Sequence, residues 1–265
     1  MSPALIFDCD GVLADTERDG HLKAFNLTFQ QLGVPLHWSD EDYEALLTIG
    51  GGKERMRSAL TPALINDLGL EDEEDREAAI AGWHTRKTRI FTELVESGRI
   101  VPRPGVARLI GEALGEGWNV AVASTSVEES VRAVLEGAVG VEVAATIPVF
   151  AGDIVGSKKP APDVYLAAIR GLDVRAAEGL AIEDSRNGLL AATTAGLSCL
   201  VARSSFTVAE DMSEAIAVVS SLGDPGGPQP LVERNDTGVP IDGPVTIPVL
   251  RACVDRAVAA SGRSG

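Results

Sequence analysis

Two carboxylates two residues apart, Asp8 and Asp10, follow a short apolar run, Ala4 to Phe7, and lead into Gly11. An acidic side chain in a tight loop after a buried strand can act as a nucleophile. A second one beside it can carry a proton to or from the reacting oxygen. Comparable polar groups recur far along the chain. Asn119 to Ala123 reads as a strand ending at Ser124-Thr125-Ser126, and Leu180 to Ile182 as a strand ending at Glu183-Asp184-Ser185. Ligands of open α/β sheets gather at the carboxyl ends of the strands, so these segments are candidates for one site. Each alone has a plainer use as a turn or a helix cap. Their order and company give them weight.

The elements that would position them follow from periodicity. Leu22, Phe25, Phe29 and Leu32 recur at helical steps and end near Gly33 and Pro35. Helical stretches continue to about residue 101, among them Tyr43 to Leu47, Arg55 to Leu68 and Glu73 to Val95, with no convincing strand. After Pro102-Arg103-Pro104-Gly105, strands and helices alternate again. Val106 to Leu114 and Val127 to Leu135 are amphipathic, an Ala-rich helix runs up to Gly196, and Ser198 to Ala202 and Ala215 to Val219 read as short strands. The expectation is an α/β fold. Its core is a doubly wound, Rossmann-like parallel sheet, interrupted after the first strand by a helical cap. The core takes residues 1–16 and 102–224 and the cap 17–101. A C-terminal extension, 225–265, carries one helix around Val249 to Ala259 and a mobile end at Ser-Gly-Arg-Ser-Gly.

The stretch Asp8-Cys9-Asp10-Gly11-Val12-Leu13-Ala14-Asp15-Thr16-Glu17 resembles the first motif of the haloacid dehalogenase superfamily of phosphatases. Three more motifs follow in order. Ser124 closes the second, Lys159 lies in Lys158-Lys159-Pro160-Ala161-Pro162-Asp163, and Glu183-Asp184-Ser185 precedes Gly188. The resemblance covers about residues 4 to 222. It implies Asp8 as nucleophile, Asp10 as acid and base, Ser124 as a hydroxyl donor to phosphate, and Lys159, directly before Pro160, as the fixed cation. It also implies a magnesium ion held by Asp8, the carbonyl of Asp10 and Asp184, with Glu183 nearby. These roles suit the chemistry. A carboxylate nucleophile splits a difficult phosphate displacement into two easier ones, and magnesium prefers oxygen ligands that bridge to phosphate. Asp10 separates the chain from dehalogenases proper, whose first motif lacks the second acid.

Within the cap, Gly50-Gly51-Gly52-Lys53-Glu54-Arg55 places backbone N–H groups and two cations together, which suits a second phosphate. His84 and Lys87 fall on one helical face. With Glu17 and His21, these segments resemble the subgroup of phosphatases that act on xylulose-1,5-bisphosphate. The resemblance implies one phosphate at Asp8 and another gripped by cap residues such as Lys53, Arg55, His84 and Lys87. Glu17, His21 and Thr125 complete the substrate-binding set. A phosphomutase of the β-phosphoglucomutase kind would share the same Asp pair. A phosphosugar-binding protein without turnover is a third reading, disfavoured by the intact motifs.

Composition sets the outer limits. The chain has 265 residues, 45% of them hydrophobic, so it can bury a substantial core. Its 39 acidic against 23 basic residues, a net charge of -16, argue against nucleic acid and anionic membranes as partners. Cys9, Cys199 and Cys253 form no paired pattern, His21, His37 and His84 no metal motif, and no long apolar segment occurs. A monomeric cytoplasmic protein with a small phosphorylated sugar as partner is expected.

Overall fold

The computed structural model describes residues 2–261, and residues 262–265 of the expected mobile end lie outside the described residues. The chain divides into two compact units. One is built from residues up to Asp15 and from Val101 onward, the other from Thr16–Ile100.

Among the described residues, the first unit holds seven strands. These are β1 (Ala4–Phe7), β2 (Asn119–Ser124), β3 (Val149–Ala151), β4 (Gly179–Glu183), β5 (Ser198–Ala202), β6 (Ala217–Val219) and β7 (Val232–Asn235). They form one sheet in the order β3-β2-β1-β4-β5-β6-β7, parallel except for β7. Phe7 pairs with Val122 on one side and Ile182 on the other, so the residues after β1, β2 and β4 emerge together. The order reverses at β1, which leaves a crevice at the carboxyl ends of β1 and β4.

The helical unit starts with a π-helical turn, Glu17–Leu22, and continues through α1 (Lys23–Leu32), α2 (Asp40–Leu46), α3 (Gly52–Ser58), α4 (Pro62–Leu68) and α5 (Glu73–Glu96). Among the described residues it carries no strand. The single helical stretch expected from Arg55 to Leu68 is two helices. Pro62 cannot donate a backbone hydrogen bond, and the Thr61 hydroxyl caps a new helix by accepting from Leu64 N at 3.3 Å. Phe25, Phe29 and Trp38 form the centre of this unit, with Trp38 4.8 and 5.0 Å from the two phenyl rings. Asp72, in the acidic run before α5, caps that helix by accepting from Glu74 N and Asp75 N.

The sheet unit adds α6 (Val106–Gly115), α7 (Glu128–Val139), α8 (Val141–Ala144), α9 (Asp163–Leu172), α10 (Arg186–Thr194) and α11 (Ile247–Ser261). Val164, Tyr165, Ala168, Leu189 and Ala192 from α9 and α10 pack with Ile6, Ala181, Cys199 and Val201 of the sheet. Leu5, Phe7 and Val122, which alternate with these along their strands, are also buried, as a sheet covered on both faces requires. The C-terminal extension contributes β7 as an edge strand, and α11 packs on α6. Sequence periodicity missed β3 and β7. Both are short edge strands, and β7, Val-Glu-Arg-Asn, is mostly polar and half exposed.

Candidate active site

The four motif segments meet in the sheet unit. Asp8 follows β1, and its backbone N–H donates to Ile182 O at 2.9 Å, tying it to β4. Lys159 reaches across from the segment before α9. Its ammonium donates to Asp8 Oδ1 at 2.6 Å, Glu183 Oε1 at 2.6 Å and Ala123 O at 3.0 Å. Tyr165, fully buried on α9, donates to Glu183 Oε1 at 2.5 Å. Glu183 Oε2 accepts from Asp184 N at 3.2 Å. Gly188 explains the spacing of the fourth motif: a Cβ there would lie 2.0 Å from the Glu183 carboxylate. Gly11, at φ +77°, is equally constrained, because a Cβ would lie 2.0 Å from Asp184 Oδ2.

Asp10 is half-buried, and Ser126 Oγ donates to its Oδ2 at 2.5 Å. Ser124 is buried and its Oγ accepts from Ser126 N at 3.1 Å, while Thr125 is half-buried on the same turn. These hydroxyls do not cap the next helix: α7 starts after Val127 with no side-chain cap. The plain reading of Ser-Thr-Ser as a helix cap therefore fails. Lys158 is half-buried, and Cys9 is buried in the core.

Asp8, Glu183 and Asp184 present carboxylate oxygens that all lie within 4.8 Å of one another. Burial pushes the Asp8 carboxyl up to about 8, with repulsion from Glu183 and Asp10 adding to it and Lys159 opposing. Burial and then the charges of Glu183 and Asp8 raise Asp184 well above the usual carboxylate range, against the pull of the Ser204 hydroxyl and Arg103. Burial alone would pull Lys159 down, but the carboxylates of Asp8 and Glu183 outweigh it and hold the ammonium charged. Three carboxyl groups crowd around one ammonium, two of them held above the usual carboxylate range by burial in a site short of positive charge. The donors are all hard oxygens, so the cluster fits a divalent cation of the magnesium type.

The expected cap residues form groups of their own in the helical unit. Tyr43 donates to Glu17 Oε2 at 2.5 Å, and Arg55 donates to the Tyr43 hydroxyl at 2.9 Å and to Ile49 O at 3.0 Å. Lys87, buried on α5, has its ammonium 2.6 Å from His21 Nδ1. His21 stacks on Phe91 at 4.1 Å, and Lys87 lies over the rings of Phe25 and Phe91. His84 is half-buried beside the start of α3, where a Cβ on Gly52 would come within 2.8 Å of its Nε2. Lys53, half-buried, lies on the first turn of α3.

Sequence reasoning missed Tyr165, Ser126, Ser204, Arg103 and Tyr43. Ser126 carried a usable signal, its place two residues after Ser124 at a strand end. The others reach their partners across 6 to 117 positions and leave no local pattern. Arg186, at the start of α10, pairs with Glu214 and donates to Asp211 O.

Residues 3–196 match the family of haloacid dehalogenase-like hydrolases. The chain is 45% identical over 225 residues to a CBBY-like protein of Arabidopsis thaliana, covering 85% of this chain and 70% of that one. It is 40% identical over 228 residues to protein CbbY of Cereibacter sphaeroides, covering 86% and 95%. A crystal structure of CbbY from Rhodobacter sphaeroides in complex with xylulose-(1,5)bisphosphate aligns with a TM-score of 0.74 at 39% identity, covering 83% of this chain and 95% of that one.

Proposed function

Because the chain belongs to the haloacid dehalogenase-like hydrolases, we propose that it is a magnesium-dependent phosphatase of sugar bisphosphates, with xylulose-1,5-bisphosphate as the favoured substrate. The observation that carries this reading is the Asp8 carboxylate held 2.6 Å from the Lys159 ammonium, with Asp10 two residues on and hydrogen-bonded to Ser126. The CbbY crystallised with xylulose-(1,5)bisphosphate supports the choice of sugar.

Asp8 Oδ attacks phosphorus, and the bond from phosphorus to the sugar oxygen breaks as Asp10 gives that oxygen its proton. Asp8 then carries the phosphoryl group as an acyl phosphate. Asp10, now ionised, takes a proton from water, which attacks the phosphorus and releases inorganic phosphate and the Asp8 carboxylate. Lys159 balances charge on the transferring phosphoryl, and the Ser124 hydroxyl donates to its oxygens. Ser126 keeps the Asp10 carboxyl turned to one orientation. Asp8, Asp184 and the Asp10 carbonyl, with Glu183 beside them, would hold magnesium, which would supply charge neutralisation for the phosphate.

The second phosphate is assigned to cations of the helical unit. Lys53 on the first turn of α3, His84 and Lys87 on α5, and Arg55 are the candidates. Glu17 and His21 are assigned to sugar hydroxyls. Thr125 joins Ser124 at the first phosphate. The working form is a cytoplasmic monomer. Among the described residues, no helix is long and apolar enough to cross a membrane.

Phosphate release, measured with and without magnesium across sugar mono- and bisphosphates, tests the reading. Magnesium-dependent release strongest from xylulose-1,5-bisphosphate is expected. Phosphoryl transfer to another sugar hydroxyl without free phosphate would make the protein a mutase instead.

A further inference from the structure

Arg103 stands at the return of the chain to the sheet unit, in a segment that reads as a mere loop. Its backbone N–H donates to Leu13 O at 3.0 Å, and the neighbouring Pro102 bridges Ala14, so it lies directly across the first motif. The guanidinium reaches four backbone carbonyls. One nitrogen donates to Gly11 O and to Ala202 O at 2.7 Å. The other donates to Arg203 O at 2.5 Å and to Ser220 O at 2.8 Å. One rigid fork thus joins the Asp8–Gly11 loop to the carboxyl ends of β5 and β6. Both attachments matter for Asp184. Gly11 packs against the Asp184 carboxylate, and Ser204, the residue after Arg203, hydrogen-bonds to it. The charges of Asp184 and Asp15 act on the guanidinium in turn.

We propose that Arg103 is a positioning residue for the metal-binding carboxylates, holding the Asp8–Asp10 loop and the Ser204–Asp184 contact in register without touching substrate. This inference rests on the magnesium-dependent reading above. Only arginine can do this work: the planar guanidinium presents donors in a fixed fork, whereas a lysine ammonium is a flexible point charge that cannot reach four acceptors on two sides. Left without donors, the carbonyls would have to turn toward water, and the loop bearing Asp10 would turn with them.

The same unit contains a matched control. Arg108 on α6 also donates to backbone carbonyls, those of Leu222, Gly223 and Val245, but none of these belongs to a motif. Magnesium alone is titrated into the substrate-free protein and followed by calorimetry, with the melting temperature of each variant measured beside it. Arg103→Lys should bind magnesium about ten- to a hundredfold more weakly than wild type, the size of effect found when residues behind metal ligands are changed. Arg108→Lys should lose melting temperature and keep its magnesium affinity. Should Arg103→Lys not fold, Arg103→Gln, uncharged and with two donors, carries the same comparison. Unchanged affinity at position 103, or an equal loss at position 108, overturns the inference. A wild type that binds no magnesium overturns the metal reading, and this inference with it.

Discussion

The carboxylate cluster of the sheet unit and the polar groups of the helical unit are both buried, yet they treat buried charge in opposite ways. In the helical unit three of these groups have polar or aromatic partners nearby: Glu17 accepts from Tyr43, Arg55 donates to Tyr43 and Ile49 O, and Lys87 sits against His21 and two phenyl rings. In the sheet unit Asp8, Glu183 and Asp184 crowd together around a single ammonium. Desolvation and like-charge repulsion make such a cluster unfavourable by itself, so it persists because the surrounding strands impose it. The difference separates polar groups that satisfy one another from a carboxylate cluster arranged to receive a cation. Strain of this kind belongs where chemistry happens.

The sharpest way to break this comparison is Asp8→Asn. Phosphate release should fall on the order of 10^3-fold or more, as expected for loss of a nucleophile. The metal-free variant should melt higher than metal-free wild type, because folding no longer has to protonate or bury the Asp8 carboxylate. Lower stability together with retained activity would remove Asp8 from its role.

The next effect is one of pH. Asp8 is raised from an ordinary 3.8 to about 8, so the folded protein holds a proton that the unfolded chain has released. Stability of the metal-free protein should therefore be fully present below pH 4 as far as this group is concerned, and fall as pH rises toward 8. The loss is on the order of a few kcal/mol. Saturating magnesium should flatten that slope in denaturant titrations. A metal-free protein that gains stability over this range would contradict the picture of an uncompensated cluster.

Lys53→Ala should raise KM for the bisphosphate about tenfold, the weight of one charge-assisted contact, and leave a generic monoester nearly unaffected. Equal effects on both substrates would detach Lys53 from the second phosphate. Smallest is Tyr43→Phe, which removes the hydroxyl between Glu17 and Arg55 and should cost about 1 kcal/mol, seen in KM more than in kcat. A larger effect than that of Lys53→Ala would mean that the helical unit is less self-sufficient than its contacts indicate.

Much of the molecule was legible before folding. The strands that carry the motifs, the insertion of helices after β1, and the nearness of Asp8 to Glu183 and Asp184 all follow from apolar runs, turn residues and the order of the strand ends. Short-range signals suffice there because a strand end and the loop after it are set by neighbours in sequence. The break at Pro62 shows where such reading slips: Arg55 to Leu68 kept a helical rhythm while Thr61 and Pro62 spelled a new start. The edge strand β7 shows another limit, since half of an edge is solvated and its polar residues carry no strand pattern.

What the sequence determined by itself is therefore the chemistry on offer, meaning which residue types stand at which strand ends and in what order. The tertiary structure alone decided how that chemistry is held. Tyr165 on Glu183, Ser126 on Asp10, the fork of Arg103 on four carbonyls and the pairing of Lys87 with His21 join segments that only packing brings together. The physical reason is one of range. Periodicity and turn propensity act over a few residues, whereas burial, repulsion and hydrogen bonding act over a few ångströms, wherever along the chain the partners lie.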